Sequence, residues 1–587
     1  MSPSSYSLAE IQHKIDKVKQ FLSIALRIAN AHTVEFYTHN VWKQFVALPP
    51  EDVLSAVLRG SEQQGAPEFK RKDDSRSIFG FCPDTQRLVD AHELLRAATA
   101  HSLPGLGVCW SRDELLQTLR EEKLESGAAG AEMGAELQPD EFMNSKKSHE
   151  VQSMSEVVAC LAKCCGVRQV IDVGSGKGYL SSFLSLQYGL QVYGIDSSSI
   201  NTHGAQERNR KLKKFSRSYQ KRIKAVEAQR EAEQSHQDTS EEEKVGFSGD
   251  GGVLCGAEGE IMSEETEKDF SDVSSARPNP ETEEMFLSAL SLDVIETMPP
   301  RISPTLLSAE ERERRKKENL EKKALNRTDG TSAVFSPLTS YVTAETELRE
   351  LISELEHAVM VGLHTCGDLA PSTLRMFVAK PELSAVCSVG CCYHLLTEEF
   401  DPAVQGCPDR LCGFPLSHYL HTHSWFCGRN ARMSACLALE RVSLGQGIQM
   451  ESLFYRAVLH VILRDHYSAY KSEKRVGNVY SKATSFVDYV RRALRKLELD
   501  ESKLSNSDVQ EFHDRFRPRM NEMLAFNMLK VTLAPCIEGL ILLDRLCYLK
   551  EQDVPVSALV QLFDPLLSPR CYAVVGLKMF GKQNCLS

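Results

Sequence analysis

The chain has 587 residues, 42% apolar and 25% charged, with a formal net charge of −11. That apolar share excludes wholesale disorder, and the length corresponds to about four domains' worth of chain. The net charge misleads about partners. Residues 231–300 hold 19 acidic and 3 basic side chains, and the remainder holds 66 basic and 61 acidic. A folded body outside that stretch is mildly basic, which keeps RNA open as a partner.

Residues 1–140 read as a helical N-terminal region. Ser7 and Glu10 have capping-box spacing. Ile11, Ile15, Val18, Leu22, Ala25 and Ala29 then recur on one helical face. Helical patterns follow at Glu51–Leu58 and Thr85–Ala98, and Glu125–Glu136 reads as a linker. The opening Met1-Ser2-Pro3-Ser4 lacks the basic region and apolar core of a secretory signal. No apolar run approaches the roughly 20 residues of a membrane span. The expectation is a cytoplasmic or nuclear protein, or both, neither secreted nor membrane-bound. The 18 cysteines are expected to be reduced and mostly buried.

From residue 141 to 208 helix and strand alternate. Glu150–Cys164 reads as helix, Arg168–Val173 as strand, Gly178–Tyr188 as helix and Gln191–Asp196 as a second strand. This is a βαβ unit, the first half of an α/β domain. Residues 209–335 break the pattern. They are rich in Ser, Glu and charge, with basic blocks at Arg208–Lys224 and Arg312–Lys323, and read as a largely disordered insertion. The first block suits a solvated helix, a nuclear signal or an RNA arm. The second half of the domain, 336–430, carries strand patterns at Thr339–Thr343, Ala358–Leu363 and Ser384–Val389, with helix at Ala344–Leu355. Residues 431–533 read as a helical insertion or cap. Segment 534–587 reads as a closing helix, Pro535–Leu549, and an antiparallel strand pair, Ala558–Phe563 and Tyr572–Lys578.

The sharpest motif is Asp172-Val173-Gly174-Ser175-Gly176-Lys177-Gly178. It is not a phosphate-binding P-loop, because Gly178 stands where Ser or Thr must follow the lysine. It is not a dinucleotide fingerprint either, since the spacing is Gly-x-Gly-x-Gly. A preceding acid suits S-adenosyl-L-methionine, which has no pyrophosphate and carries a sulfonium and an ammonium. The glycines let the backbone approach a ligand closely. Asp196 ends the second strand, where a carboxylate can accept from ribose hydroxyls. Asp172, Gly174, Ser175, Gly176, Gly178, Asp196 and the upstream Lys147 form the expected cofactor-binding set. The alternative is a structural turn that has lost its ligand.

Four blocks together resemble the methyltransferase-like protein 25 family: Met143–Val151, the glycine turn, Gly362-Leu363-His364-Thr365-Cys366-Gly367-Asp368-Leu369, and Cys391-Cys392-Tyr393-His394-Leu395-Leu396 with Gly413-Phe414-Pro415-Leu416-Ser417 after it. The likeness covers about 140–420 apart from the insertion. It implies an α/β class I methyltransferase (Rossmann-like) fold, a seven-stranded sheet with an antiparallel last strand, and S-adenosyl-L-methionine as cofactor. It implies no substrate. The last two blocks are also similar to a family of eukaryotic tRNA ribose methyltransferases with His-x-Cys-Gly and Cys-Cys-x-His motifs, matched by His364, Cys366 and Gly367, then Cys391, Cys392 and His394. This shorter likeness points to RNA, with tRNA within that class.

In an open α/β sheet these loops surround a crevice at the carboxyl ends of the strands, so His364, Asp368, Tyr393 and His394 are the expected catalytic residues. A ribose hydroxyl needs a base, and His364 or His394 can serve, with Asp368 orienting. The competing role for each histidine is a structural hydrogen bond. The Asp/Asn-Pro-Pro-Tyr/Phe turn suited to adenine nitrogen is missing. Cys387, Cys391, Cys392, His394, Cys407, Cys412, His421, His423 and Cys427 crowd a short stretch, but without Cys-x-x-Cys spacing no metal is expected. The leading expectation is an RNA methyltransferase favouring ribose hydroxyl, with a protein substrate or a non-catalytic scaffold as alternatives.

Overall fold

A computed structural model describes residues 6–60, 77–125, 143–210, 212, 334–402, 411–437, 450–467 and 476–578. Nearly all of the expected linker over 125–136 and of the expected insertion over 209–335 lies outside the described residues. What remains is built around one eight-stranded sheet. Its strands are β1 (Cys109–Ser111), β2 (Gln169–Val173), β3 (Gln191–Asp196), β4 (Ser336–Thr339), β5 (Ala358–Thr365), β6 (Leu383–Gly390), β7 (Val556–Gln561) and β8 (Tyr572–Leu577), in the order β1-β7-β8-β6-β5-β2-β3-β4. Strand β8 runs antiparallel to both β6 and β7, and the remaining pairings are parallel.

The seven strands from β7 to β4 form the expected sheet. Strands β2 and β6 are buried along their whole length, as a parallel sheet covered on both faces requires. Ile171 and Val173 pack into the core on one face and Val170 into that on the other, following the period of two. Strand β4 lies earlier than its apolar pattern suggested. Pro337 sits inside it, and proline is tolerated because β4 is an edge strand. Only Leu348–Leu351 of the expected helix after it is helical.

The N-terminal region is not purely helical. It supplies β1, which pairs in parallel with β7 through Cys109↔Leu559 and Ser111↔Gln561 and covers what would otherwise be a sheet edge. Its first helix, Leu8–Asn30, begins with the Ser7–Glu10 capping box and buries the six predicted apolar positions. Asn30 anchors the end of this helix. Its Nδ2 donates to the Cys427 carbonyl at 2.7 Å and its Oδ1 accepts from the Ala431 amide at 3.0 Å.

The C-terminal helix runs Met520–Glu551, starting well before Pro535, which lies in its interior. A mid-helix proline costs about 3 kcal/mol. Here the turns on either side are buried nearly all round, and that burial outweighs the lost hydrogen bond. This helix is long and apolar enough to cross a membrane, but 94% of its apolar window is buried inside the protein. It is the core helix against which Leu8–Asn30 packs.

Between these helices a cavity of about 50 Å³ is lined by Ala31, Thr33, Asn430, Arg456 and Lys530, among others. The Lys530 ammonium is buried and donates to the Ala31 carbonyl and to Thr33 Oγ1. Burial pushes its pKa down to about 7. The unfolded value is about 10.4, so the penalty on folding is fully present below about pH 7 and lifts as pH rises toward 10. Urea titrations at about pH 7 and about pH 9.5 should show wild-type stability rising over that window and Lys530→Met rising much less. Equal rises in the two proteins refute this account.

Candidate active site

The glycine turn joins β2 to the helix Tyr179–Tyr188. Gly174, Gly176 and Gly178 all have positive φ, at 74°, 56° and 72°, the left-handed region that side chains rarely enter. Gly178 is doubly constrained, because a Cβ there would lie 2.1 Å from the Phe335 ring. The amides of Gly174 and Ser175 donate to the Ile195 carbonyl at 2.8 and 3.2 Å, binding the turn to the end of β3. Asp196 then organises both sides of the opening. Its Oδ2 accepts from the Gly176 amide at 3.0 Å, and its Oδ1 from the Ser198 amide at 2.8 Å and Asn201 Nδ2 at 3.2 Å.

Asp172 is placed differently from its expected role. It is buried, and its Oδ2 accepts from Ser181 Oγ at 2.6 Å. Burial pushes its pKa up to about 6. It braces the strand against the following helix and does not present a carboxylate to a ligand's charge. Ser175 Oγ is buried with no hydrogen-bond partner among the described residues. Lys147 lies over the Tyr179 ring at 5.1 Å, with the Arg208 guanidinium 4.3 Å from the same ring, so two cations flank the first residue of that helix.

The four expected catalytic residues divide. His364, near the end of β5, stays accessible, and its carbonyl lies 3.5 Å from where a Cβ on Gly174 would stand. Its Nε2 meets Glu150 Oε2 at 3.3 Å. Glu150 comes from the helix Ser145–Cys164 and is 1% exposed. Its other oxygen accepts from Ser568 Oγ at 2.6 Å and faces Lys146 Nζ at 3.7 Å. Burial raises the Glu150 pKa, but the hydrogen bond and charge of His364, the Lys146 charge and the Ser568 hydroxyl outweigh it and hold the carboxyl at about 2.

Asp368 is not the partner of His364. Its Oδ1 accepts the Thr397 amide at 2.8 Å and packs so tightly on Gly413 that a Cβ there would stand 2.0 Å from it. It pins the loop after β5 to Thr397 and Gly413. Tyr393 is 1% exposed, and its hydroxyl donates to Glu538 Oε1 at 2.7 Å on the core helix. His394 is buried with Nδ1 3.6 Å from Cys436 Sγ, and burial pushes its pKa down. The loop after β6 therefore contributes packing through Tyr393 and His394, and neither side chain is presented to solvent. The carboxylate that sequence reasoning missed is Glu150. It stood within the first resemblance block, but nothing local links a helix residue to a histidine 214 positions away.

A methyltransferase-domain family model matches residues 146–399, a range that includes Glu150, the glycine turn, His364 and both cysteine-bearing loops. The mouse protein named "Probable methyltransferase-like protein 25" is 47% identical over 612 aligned positions, which cover 98% of this chain and 98% of that one. The chain belongs to the methyltransferase-like protein 25 family. The human protein of the same name is 46% identical over 610 positions, again with 98% of each chain covered. No solved structure matches this family member. The family assignment covers the N-terminal region and the core helix as well as the methyltransferase domain, because the alignment runs nearly end to end.

Glu150→Gln keeps the shape and removes the charge. Its folded pKa lies below the unfolded value of about 4.3, so the stability it contributes is present above that value and lost as pH falls through about 2. The variant should be less stable by about 2–3 kcal/mol at pH 7. The gap should narrow by about pH 3.5. Urea midpoints at both pH values measure this, and a gap that does not change with pH refutes it.

Proposed function

We propose that this family member is an S-adenosyl-L-methionine-dependent methyltransferase acting on RNA at a ribose hydroxyl. The reading rests on one juxtaposition: an accessible imidazole, held by a buried carboxylate, beside a glycine turn of left-handed conformation. The turn fits the cofactor. A Cβ at Gly176 would meet open space, Ser175 Oγ has no partner among the described residues, and the Asp196 carboxylate stands at the rim. Gly174, Ser175, Gly176 and Asp196 would hold the ligand's backbone-facing side, with Lys147 at the far end of the turn. When bound, the cofactor supplies an electrophilic methyl group on a sulfonium.

The remaining work falls to the chain. Transfer is an in-line displacement, so much of the acceleration comes from holding the acceptor oxygen in place. His364 removes the proton of that hydroxyl as the oxygen attacks. The Glu150 carboxylate on its Nε2 fixes the ring and stabilises the imidazolium that results. The other nitrogen, Nδ1, is then the one turned to the acceptor. Lys147 and Arg208 beside Tyr179 supply positive charge next to the turn for phosphates. An RNA substrate is consistent with a cytoplasmic or nuclear protein.

The deciding measurement is tritium transfer from labelled cofactor to fractionated RNA and protein. The expected result is label in RNA, lost in His364→Ala while RNA retention persists, since a base acts on the reaction more than on docking. RNA binding should weaken steeply with salt. Label in polypeptide identifies a protein methyltransferase instead, and no transfer to any fraction identifies a scaffold. Asp196→Ala should weaken cofactor binding by roughly 1–3 kcal/mol in calorimetry on folded protein. Unchanged affinity removes Asp196 from the site.

A further inference from the structure

The loops after β5 and β6 bring three cysteine sulfurs together. Strands β5 and β6 pair Thr365 with Gly390, so Cys366 and Cys391, the next residue on each chain, emerge side by side. Their Sγ atoms are 2.8 Å apart, Cys391 and Cys392 Sγ are 3.7 Å apart, and all three sulfurs lie within 4.8 Å of one another. The sequence hid this trio because the ligand spacing is spatial. One thiol comes from one loop and an adjacent pair comes from another, with no Cys-x-x-Cys repeat in either.

The scaffold beneath the trio is tight. Thr365 Oγ1 donates to the Val389 carbonyl at 2.9 Å, locking the two strand ends together. A Cβ at Gly367 would stand 2.8 Å from the Leu395 carbonyl oxygen. A Cβ at Gly390 would stand 2.4 Å from Arg545 Nη1, so a guanidinium lies directly beside the residue that precedes Cys391. Arg545 is 3% exposed, with its guanidinium 5.7 Å from the centre of the Tyr393 ring. A buried cation favours anionic neighbours, and an anionic sulfur cluster would lie beside this one.

We infer that Cys366, Cys391 and Cys392 form a thiolate site for a soft divalent metal ion, Zn²⁺. Three thiolates on one Zn²⁺ carry a net charge of −1, which the Arg545 guanidinium offsets. Zn–S bonds of about 2.3 Å put tetrahedral sulfurs roughly 3.8 Å apart. The Cys391–Cys392 separation of 3.7 Å already matches. Cys366 is exposed, and its separation of 2.8 Å from Cys391 needs to open by about 1 Å to match. The sulfur donor set selects Zn²⁺ over Mg²⁺ or Ca²⁺. Because Cys366 faces solvent, the fourth coordination position opens outward, the arrangement of a zinc site that can exchange a ligand. Cys436 Sγ, 3.6 Å from the Cys391 carbonyl and from His394 Nδ1, backs the trio from the interior. The site does not depend on which molecule accepts the methyl group.

The test uses the full-length, reduced protein and the metal alone. Elemental analysis should find about one zinc per chain, and Co²⁺ in its place should give a sulfur-to-cobalt charge-transfer band with tetrahedral visible bands. Cys366→Ser, Cys391→Ser and Cys392→Ser should each weaken Zn²⁺ binding at least about tenfold, while Cys165→Ser should not. Should a serine variant fail to fold, alkylation of wild type decides. Zn²⁺ should shield these three cysteines and leave Cys82 and Cys165 as reactive as before. Metal-free protein whose Co²⁺ spectrum lacks the thiolate band overturns the inference. So does Zn²⁺ that leaves the alkylation of the three cysteines unchanged.

Discussion

The constraint on which the rest of this structure depends is the burial of charge on its core helix. Met520–Glu551 is enclosed on nearly every side, yet it carries Glu538, Asp544 and Arg545 into the interior. Buried charges must be paired or hydrogen-bonded, and the partners of the two acids come from the loops at the carboxyl ends of the sheet. Asp544 accepts from the amides of Leu416 and Ser417 at 2.7 and 2.9 Å and from the Ser417 hydroxyl at 2.6 Å. Glu538 takes the Tyr393 hydroxyl and lies 3.5 Å from the Arg570 guanidinium, which also donates to the carbonyls of Ala435 and Cys436. One helix thus fixes the loop after β6, the Gly413–Ser417 segment and the approach to β8.

Close backbone packing completes what those hydrogen bonds begin. Phe335, just before β4, lies against Gly178, and the Asp368 carboxylate lies against Gly413. Each contact ties a loop on the rim of the crevice to a neighbour that a larger residue would displace. Preorganisation of this kind is what a transfer reaction governed by geometry requires. It also explains the appearance of Gly in three of the four resemblance blocks in terms of space and not only of turn conformation.

The electrostatics of the crevice separate two functions within a small volume. Asp172, pushed up toward neutrality by burial, acts as a brace. Glu150, held down by His364, Lys146 and Ser568 against the effect of its own burial, keeps its charge and lends it to the imidazole. Ser568 belongs to the connection between β7 and β8, so the C-terminal strand pair helps hold a residue at the other end of the domain. The N-terminal region contributes in the same way, by adding β1 beside β7 and by packing Leu8–Asn30 on the core helix.

Much of the fold was legible in the sequence alone. The capping box and apolar face of Leu8–Asn30, the strands β2 and β3 with their glycine turn, and the closing antiparallel pair all follow from local rules of period, capping and turn chemistry. These depend on residues a few positions apart, which a sequence displays directly. Pro535 misled because proline's cost is local while its compensation, dense burial, is tertiary. The site divided along the same line. The turn glycines and Asp196 were readable as a motif. The pairing of His364 with Glu150, the withdrawal of Tyr393 onto Glu538, the use of Asp368 as a pin and the meeting of Cys366 with Cys391 and Cys392 were decided only when the chain folded. In each of these, residues distant in sequence or carried on different elements share one small space, and side-chain chemistry is set by neighbours that the sequence does not name.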